Sequence, residues 1–464
     1  MRGPNTGISR RRLLRKGAAA TMAGAALLST GASPVEGQAP AVVTARRFRG
    51  WVGRGPVGRS RNKLEELVLR PIGGRQVVVR TEATNLCYSN AGVILGLPGA
   101  PVLPIDVPGR TGRRFSDMAI IQGHGGVGVV EAVGPDVRRV QVGDRVCVSG
   151  TPQCGSCYQC LRGRADVCNF LSHIAADDLI PVADLPDGTP VYENSHIGGL
   201  AELMVTFEEW VIPVFTKAPT VELGMVCSCV SVAGLGATVA PTFASLPPAA
   251  TVAVVGCGPL GLSAVQGARI AGASRIIAID PVRVRRELAL TVGATNVVDP
   301  NTESDVVDRV RALSMEGGPG DRYWAGGRDS GGRRSGSGAD WVVEAAGMDQ
   351  VQPKVERGPD PNGVLPMQQA YRMCATGGHV VTTGLARGDI TLPGALFSIG
   401  GLSHHGGQAG GANPLRDIPR FVEMLDKGLY KAKELATLVP RLEDMLDAYE
   451  QVAYRTTITA ILTP

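Results

Sequence analysis

The stretch Thr251–Asp280, TVAVVGCGPLGLSAVQGARIAGASRIIAID, constrains this chain more than any other. The apolar, β-branched run Val252–Val255 reaches a glycine turn in which Gly256, Gly258 and Gly261 stand as G-x-G-x-x-G, with Pro259 and Leu260 between the last two. A helical stretch and a second apolar run follow, ending at Asp280, 24 positions after Gly256. In such a strand–turn–helix, the first glycine permits the tight turn and the second lets a pyrophosphate approach the backbone. The third lets helix and strand pack closely, with the phosphates at the helix N-terminus. A carboxylate closing the second strand can accept hydrogen bonds from an adenosine ribose and repel a 2′-phosphate, so the pattern predicts a dinucleotide, NAD before NADP. Arg283, Arg285 and Arg286 keep NADP as an alternative, and a ligand-free glycine turn is the bland one.

Beyond Asp280 the alternation continues. A helix is expected around Arg285 to Thr291, a strand over Ala294–Val298, and a helix to about Leu313. Strands follow at Trp341–Glu344 and His379–Thr383, which together predict a parallel sheet. Residues 315–338 are Gly/Ser/Arg-rich without periodicity and predict a surface loop. Helices are expected around Ile418 to Lys427 and Arg441 to Tyr454, with a strand at Thr457–Leu462. The tandem His404-His405 is expected in a loop at the domain junction, a third metal motif being the alternative.

With 464 residues, 44% of them hydrophobic, the chain can form two or more domains. Its net charge of +5 resides in residues 1–41, where Arg2, Arg10, Arg11, Arg12, Arg15 and Lys16 face Glu36 alone. The remainder is neutral, which gives nucleic-acid binding no electrostatic support. No segment has the pattern of a membrane-inserted helix. Ser9-Arg10-Arg11-Arg12-Leu13-Leu14, a mildly apolar segment and small residues up to Ala39 resemble a twin-arginine export signal over 1–39. Export of a folded, periplasmic protein is the expectation; if the signal is false, the protein is cytoplasmic.

Between Ala41 and Val146, short β-rich runs such as Gln76–Arg80 are broken by glycine and proline. Cys87 and His124 fall after and ahead of such runs. Cys154, Cys157, Cys160 and Cys168 then crowd into one glycine-containing loop, spaced to wrap one tetrahedral ion. Structural zinc is the expected occupant; disulfides, favoured by an oxidising compartment, and an iron–sulfur cluster are the alternatives. Cys147, Cys227, Cys257 and Cys374 are expected as buried thiols.

Taken together, these motifs resemble the zinc-containing medium-chain alcohol dehydrogenase family from about Val42 to Pro464. The resemblance implies an α/β chain with a GroES-like β-rich catalytic domain (40–232, zinc lobe 150–170) and a Rossmann coenzyme domain with a doubly wound parallel sheet (233–405). Residues 406–464 would return to the catalytic domain. It implies two zinc ions per chain: a catalytic one on Cys87, His124 and Cys229, and a structural one on the four-cysteine lobe. Cys229 is chosen over Cys227 because Gly234 and Gly236 follow it as the family glycines do. Ser89 matches the hydroxyl that accepts the alcohol proton. The nicotinamide would lie near Ala345 and the Thr383-Gly384-Leu385 backbone. Two thiolates and an imidazole leave a fourth position open, where an alcohol can lose its proton or an aldehyde carbonyl be polarised. A homodimer or homotetramer acting on a small alcohol or aldehyde is implied.

Three positions depart from the family pattern. Gly125 stands where a glutamate commonly follows the histidine ligand, Gly92 falls where some members end a proton relay with histidine, and Asn90 replaces the aspartate that orients the histidine. An insertion at 95–118 carries Pro98, Pro101, Pro104 and Pro108, which predicts a stiff irregular loop near the active-site mouth. The altered surroundings leave open a non-redox lyase on the same scaffold or a catalytically silent dinucleotide-binding protein. An exported dehydrogenase has no soluble NAD pool, so a further expectation is NAD loaded before export and kept bound, as in the family's nicotinoprotein branch.

Overall fold

The structure, a computed structural model, describes residues 45–54, 62–96, 111–170, 179–240, 242, 244–316, 337–356, 358 and 360–464. The export signal expected at 1–39, residues 97–110 of the proline-rich insertion and residues 317–336 of the Gly/Ser/Arg-rich loop lie outside the described residues.

Strands β1 (Arg47–Gly53), β2 (Lys63–Leu69), β4 (Ala119–Ile121), β7 (Ala183–Asp184) and β8 (Pro190–Glu193) close into a barrel in the order β1-β2-β7-β8-β4. Closure leaves no sheet edge unpaired. Beside it, β3 (Gln76–Asn85) is the hub of a second sheet, pairing antiparallel with β5 (Gly126–Val133), β9 (Leu203–Phe207) and the C-terminal β17 (Ile461–Leu462). β6 (Arg145–Val148) and β10 (Val211–Pro213) extend that sheet past β5.

Among the described residues, six strands form a parallel sheet ordered β13 (Asn296–Val298), β12 (Arg275–Ile279), β11 (Thr251–Val255), β14 (Ala339–Glu344), β15 (Cys374–Thr382) and β16 (Ser403–Gly406). Helices cover both faces, so β11 is buried along its whole length and its sequence is continuously apolar rather than alternating. One face packs under the helices that include Cys229–Val239 and Pro259–Ile270, where Trp341 Nε1 donates to the Ala237 carbonyl at 2.9 Å. The other face carries Val307, Val310, Tyr371 and Met373.

His404 and His405 correct the expectation of a loop. They form β16, the edge strand, in parallel register with Val380 and Val381. Glycines on both sides (Gly400, Gly401, Gly406, Gly407) conceal a two-residue alternation that only pairing with β15 makes a strand. The expected strand Thr457–Leu462 is also shorter, Ile461–Leu462, because Thr457 and Thr459 bond instead to Thr437. The four cysteines expected as thiols, Cys147, Cys227, Cys257 and Cys374, are buried and unbridged.

Candidate metal and dinucleotide site

Three chain segments carry the first set of donors to one point. β3 ends at Asn85, and Cys87 is the extended N-cap of helix α1 (Tyr88–Leu95), so its thiol projects from the strand–helix junction. His124 precedes β5 and follows Gly123, which has φ +93° and would bring a Cβ within 3.1 Å of the Gly199 and Leu200 amides. Cys229 opens helix α2 (Cys229–Val239), whose N-cap Ser228 accepts the Ser231 amide. The choice of Cys229 over Cys227 has a packing reason. Gly234 and Gly236 let α2 lie against the Leu260 and Ala409 carbonyls, which a Cβ would approach to 2.2 and 2.3 Å. Cys227 points into the core, its carbonyl near the Cys147 thiol.

The ligand atoms of Cys87, His124 and Cys229 lie within 4.8 Å of one another. Asn90 Oδ1 lies 2.5 Å from His124 Nδ1. Since that oxygen only accepts, Nδ1 carries the proton and Nε2 keeps its lone pair for a metal. A hydrogen bond from Cys229 holds the Cys87 thiol well below the usual range against the cost of burial, with His124 and Ser89 adding to the effect. Two sulfurs and one imidazole nitrogen at this separation fit a zinc ion with one position open. Ser89, in the first turn of α1, donates to Cys87 Sγ at 3.2 Å.

The three donors stand at one end of a cleft of ≈ 1100 Å³ that also takes in the glycine turn, Asp280, Ala345–Met348 and Thr383–Leu385. Each glycine has a separate reason. Gly256 has φ +89°, a Cβ on Gly258 would meet nothing within 4 Å, and one on Gly261 would lie 1.8 Å from the Gly256 carbonyl. Pro259 begins the following helix, α3 (Pro259–Ile270), and both it and Leu260 line the cleft. Asp280 is 3% exposed and accepts the Cys257 and Val282 amides at 2.7 and 2.8 Å, so it braces the glycine turn as well as lining the cleft. Of the three arginines, Arg283 pairs with Glu287 at the surface and Arg286 with Asp299, while Arg285 is buried at the cleft, 3.9 Å from Asp280.

Beside the turn, at the ends of β14 and β15, Thr383 donates through its amide and hydroxyl to the Glu344 carbonyl, and the Leu385 carbonyl accepts the Met348 amide. Gly384 is glycine because the Glu344 carboxylate fills the space of a Cβ, at 2.5 Å. Glu344 was not legible as part of the site; its Oε1 accepts the Ala346 and Gly347 amides and shapes that wall. Asn85, 3.6 Å from the Cys229 sulfur, was also missed, having no signal beyond its place at the end of a strand.

The second donor set is the four-cysteine lobe. Cys154 and Cys160 sulfurs are 3.9 Å apart, as are those of Cys157 and Cys168. A disulfide needs about 2.05 Å, whereas the edge of a tetrahedron with Zn–S bonds of about 2.3 Å is roughly 3.8 Å. Burial works against ionisation of Cys157, but the Asn169 and Cys160 amides hold its thiol down at about 6.

The alcohol dehydrogenase GroES-like domain model matches residues 73–216 and the zinc-binding dehydrogenase model matches residues 259–427. A Rattus norvegicus protein named alcohol dehydrogenase 6 is 32% identical over 55% of this chain and 64% of its own length, slightly under two thirds. An Amycolatopsis methanolica protein named NDMA-dependent alcohol dehydrogenase is 28% identical over 84% of this chain and 92% of its own. The crystal structure of an alcohol dehydrogenase zinc-binding domain protein from Burkholderia ambifaria superposes with a TM-score of 0.71 at 26% identity, covering 90% of this chain and 99% of that one.

Proposed function

Because the chain belongs to the zinc-containing medium-chain alcohol dehydrogenase family, we propose that it is a zinc-dependent oxidoreductase that moves a hydride between an alcohol or aldehyde and NAD. The observation that carries the reading is the convergence of Cys87, His124 and Cys229 beside Ser89 at the end of the cleft whose other walls are the glycine turn and Thr383–Leu385. Zinc, when bound there, supplies Lewis acidity toward the substrate oxygen. Asn90 fixes the His124 tautomer, and Ser89 offers a hydroxyl beside Cys87 through which the alcohol proton can leave. The Glu344-braced backbone shapes the wall beside which a nicotinamide would lie.

Asp280 supports NAD over NADP, since a carboxylate that closes the second strand and lines the cleft would repel a 2′-phosphate. Asp280→Ser should narrow the difference in Kd between the two nucleotides about tenfold, and equal affinity in the parent would sink this assignment. Two zinc ions per chain, on the two donor sets, follow from the same reading, as does a homodimer or homotetramer.

The N-terminal pattern adds export, and with it a cofactor loaded beforehand and retained through both half-reactions. The protein should be purified without added nucleotide, denatured, and its NAD quantified by mass. Close to one NAD per chain is expected. Recovery far below that, with activity that requires added NAD, overturns retention and leaves the dehydrogenase reading intact.

A further inference from the structure

The segment Met348–Lys354 leaves the wall of the cleft that the parallel sheet provides and crosses to the wall that carries the metal donors. It begins with the Met348 amide on the Leu385 carbonyl. Two residues on, Gln350, itself buried, turns both ends of its side chain and its backbone amide to helix α1: its Oε1 accepts the Gly92 amide at 2.7 Å, its Nε2 donates to the Tyr88 carbonyl at 3.0 Å, and its own amide donates to the Tyr88 hydroxyl at 2.6 Å. Tyr88 lies between the donor Cys87 and Ser89 in sequence, and Gly92 is where a relay histidine was missed. The first turn of the helix that bears Ser89 is therefore held by a residue from the opposite wall.

A charge pair reinforces this crossing. Arg455, just after helix α4 (Met445–Ala453), pairs with Asp349 at 2.6 Å while its guanidinium lies 4.8 Å from the Tyr88 ring centroid. The Asp349 side chain is almost wholly buried and its second oxygen accepts the Asp360 amide, so the pair is shielded from solvent on the Asp349 side. Arg455 has φ +60°, a left-handed conformation unfavourable for a residue with a Cβ, and the ion pair and ring contact offset that cost. The Lys354 amide on the Tyr454 carbonyl at 3.0 Å and Val351 against the cluster of Leu446, Tyr449 and Leu95 complete the seam. Tyr88, Gln350, Met348 and Arg455 all line the cleft.

A ligand that spans both walls leaves fastest when the walls part, and this seam must break for them to part. We propose that Asp349, Gln350 and Arg455 form a clasp across the cleft that slows dinucleotide release. The clasp rests on the reading that a dinucleotide occupies this cleft, and it supplies a physical means of retention.

The test is the rate at which bound NADH leaves the full-length, zinc-loaded protein into excess NAD, followed by fluorescence. Gln350→Ala and Asp349→Asn should each release NADH about tenfold faster, the cost of a buried bond to a helix or a charge. Zinc content should stay that of the parent, which separates loss of the clasp from loss of the metal site. Release within about twofold of the parent in both variants overturns the clasp. A parent that binds no NADH overturns instead the functional reading beneath it. Should both variants fail to fold, deuterium exchange on the unsubstituted protein decides: the Gly92 amide must be strongly protected, and exchange at the solvent rate overturns the proposal.

Discussion

The two cysteine-bearing donor sets differ in how the chain builds them. Cys154, Cys157, Cys160 and Cys168 come from one short loop, with backbone amides of Cys157, Cys160 and Asn169 aimed at their sulfurs. Cys87, His124 and Cys229 come from three separate places, a strand end, a glycine turn and a helix start, and each needs its own packing reason. A loop that supplies all its donors locally can close around an ion with little help from the rest of the fold. A site assembled from distant segments depends on everything that positions those segments, and in return it can leave one position open and face a cleft. The lobe is therefore suited to holding structure, and the dispersed set to chemistry.

Substitution of one donor in each set gives the largest contrast. Cys87→Ala should lose one zinc ion and lower turnover by roughly a thousandfold or more, with little change in melting temperature. Cys157→Ala should also lose one ion but chiefly lower the melting temperature. Metal analysis with calorimetry on both variants checks this, and two ions retained in either would break the comparison.

A smaller effect is expected one shell out. Asn90→Ala removes the acceptor that fixes His124 and should weaken zinc at the dispersed site about tenfold, as measured by competition with a chelator, while the lobe keeps its ion. Asn90→Asp should restore or exceed the parent affinity because a carboxylate is the stronger acceptor. Equal loss from both sites in Asn90→Ala would mean that the two are not independent.

The smallest effect concerns the edge strand near the lobe. His405 Nε2 and His379 Nδ1 are 2.8 Å apart, and Arg164, which pairs with Asp166 of the lobe, reaches the Gly406 carbonyl. Burial, with charge from His379, His404 and Arg164, pushes His405 down to about 4 from an ordinary 6.5. A base whose folded pKa is depressed adds stability that is full above its unfolded value and is lost as the pH falls from 6.5 through about 4. The parent should thus lose melting temperature over that window more steeply than His405→Gln. Superimposable curves would remove His405 from the pH response.

The glycine turn and the cysteine lobe were legible because both are local: fixed spacings within one turn or one loop carry their geometry. The donors Cys87, His124 and Cys229 were legible only through the family resemblance, since no spacing joins residues so far apart. His404-His405 was misplaced because an edge strand of four residues flanked by glycine has no pattern until β15 supplies a partner. Gln350 carried no signal, because an amide that bonds a helix far away along the chain looks like any polar residue in an irregular segment.

By itself, then, the sequence determined the strand–turn–helix with its terminal acid, the parallel alternation around it and the four thiols of one loop. In each of these the interacting groups are neighbours along the chain, and local sterics and spacing suffice. Tertiary structure alone decided that Asp280 braces the glycine turn as well as facing the cleft, that Glu344 underlies Gly384, and that Gln350 and Arg455 join the two walls. Those contacts bring together residues tens to hundreds of positions apart, and a buried polar group finds its partner only when packing has removed water as the alternative.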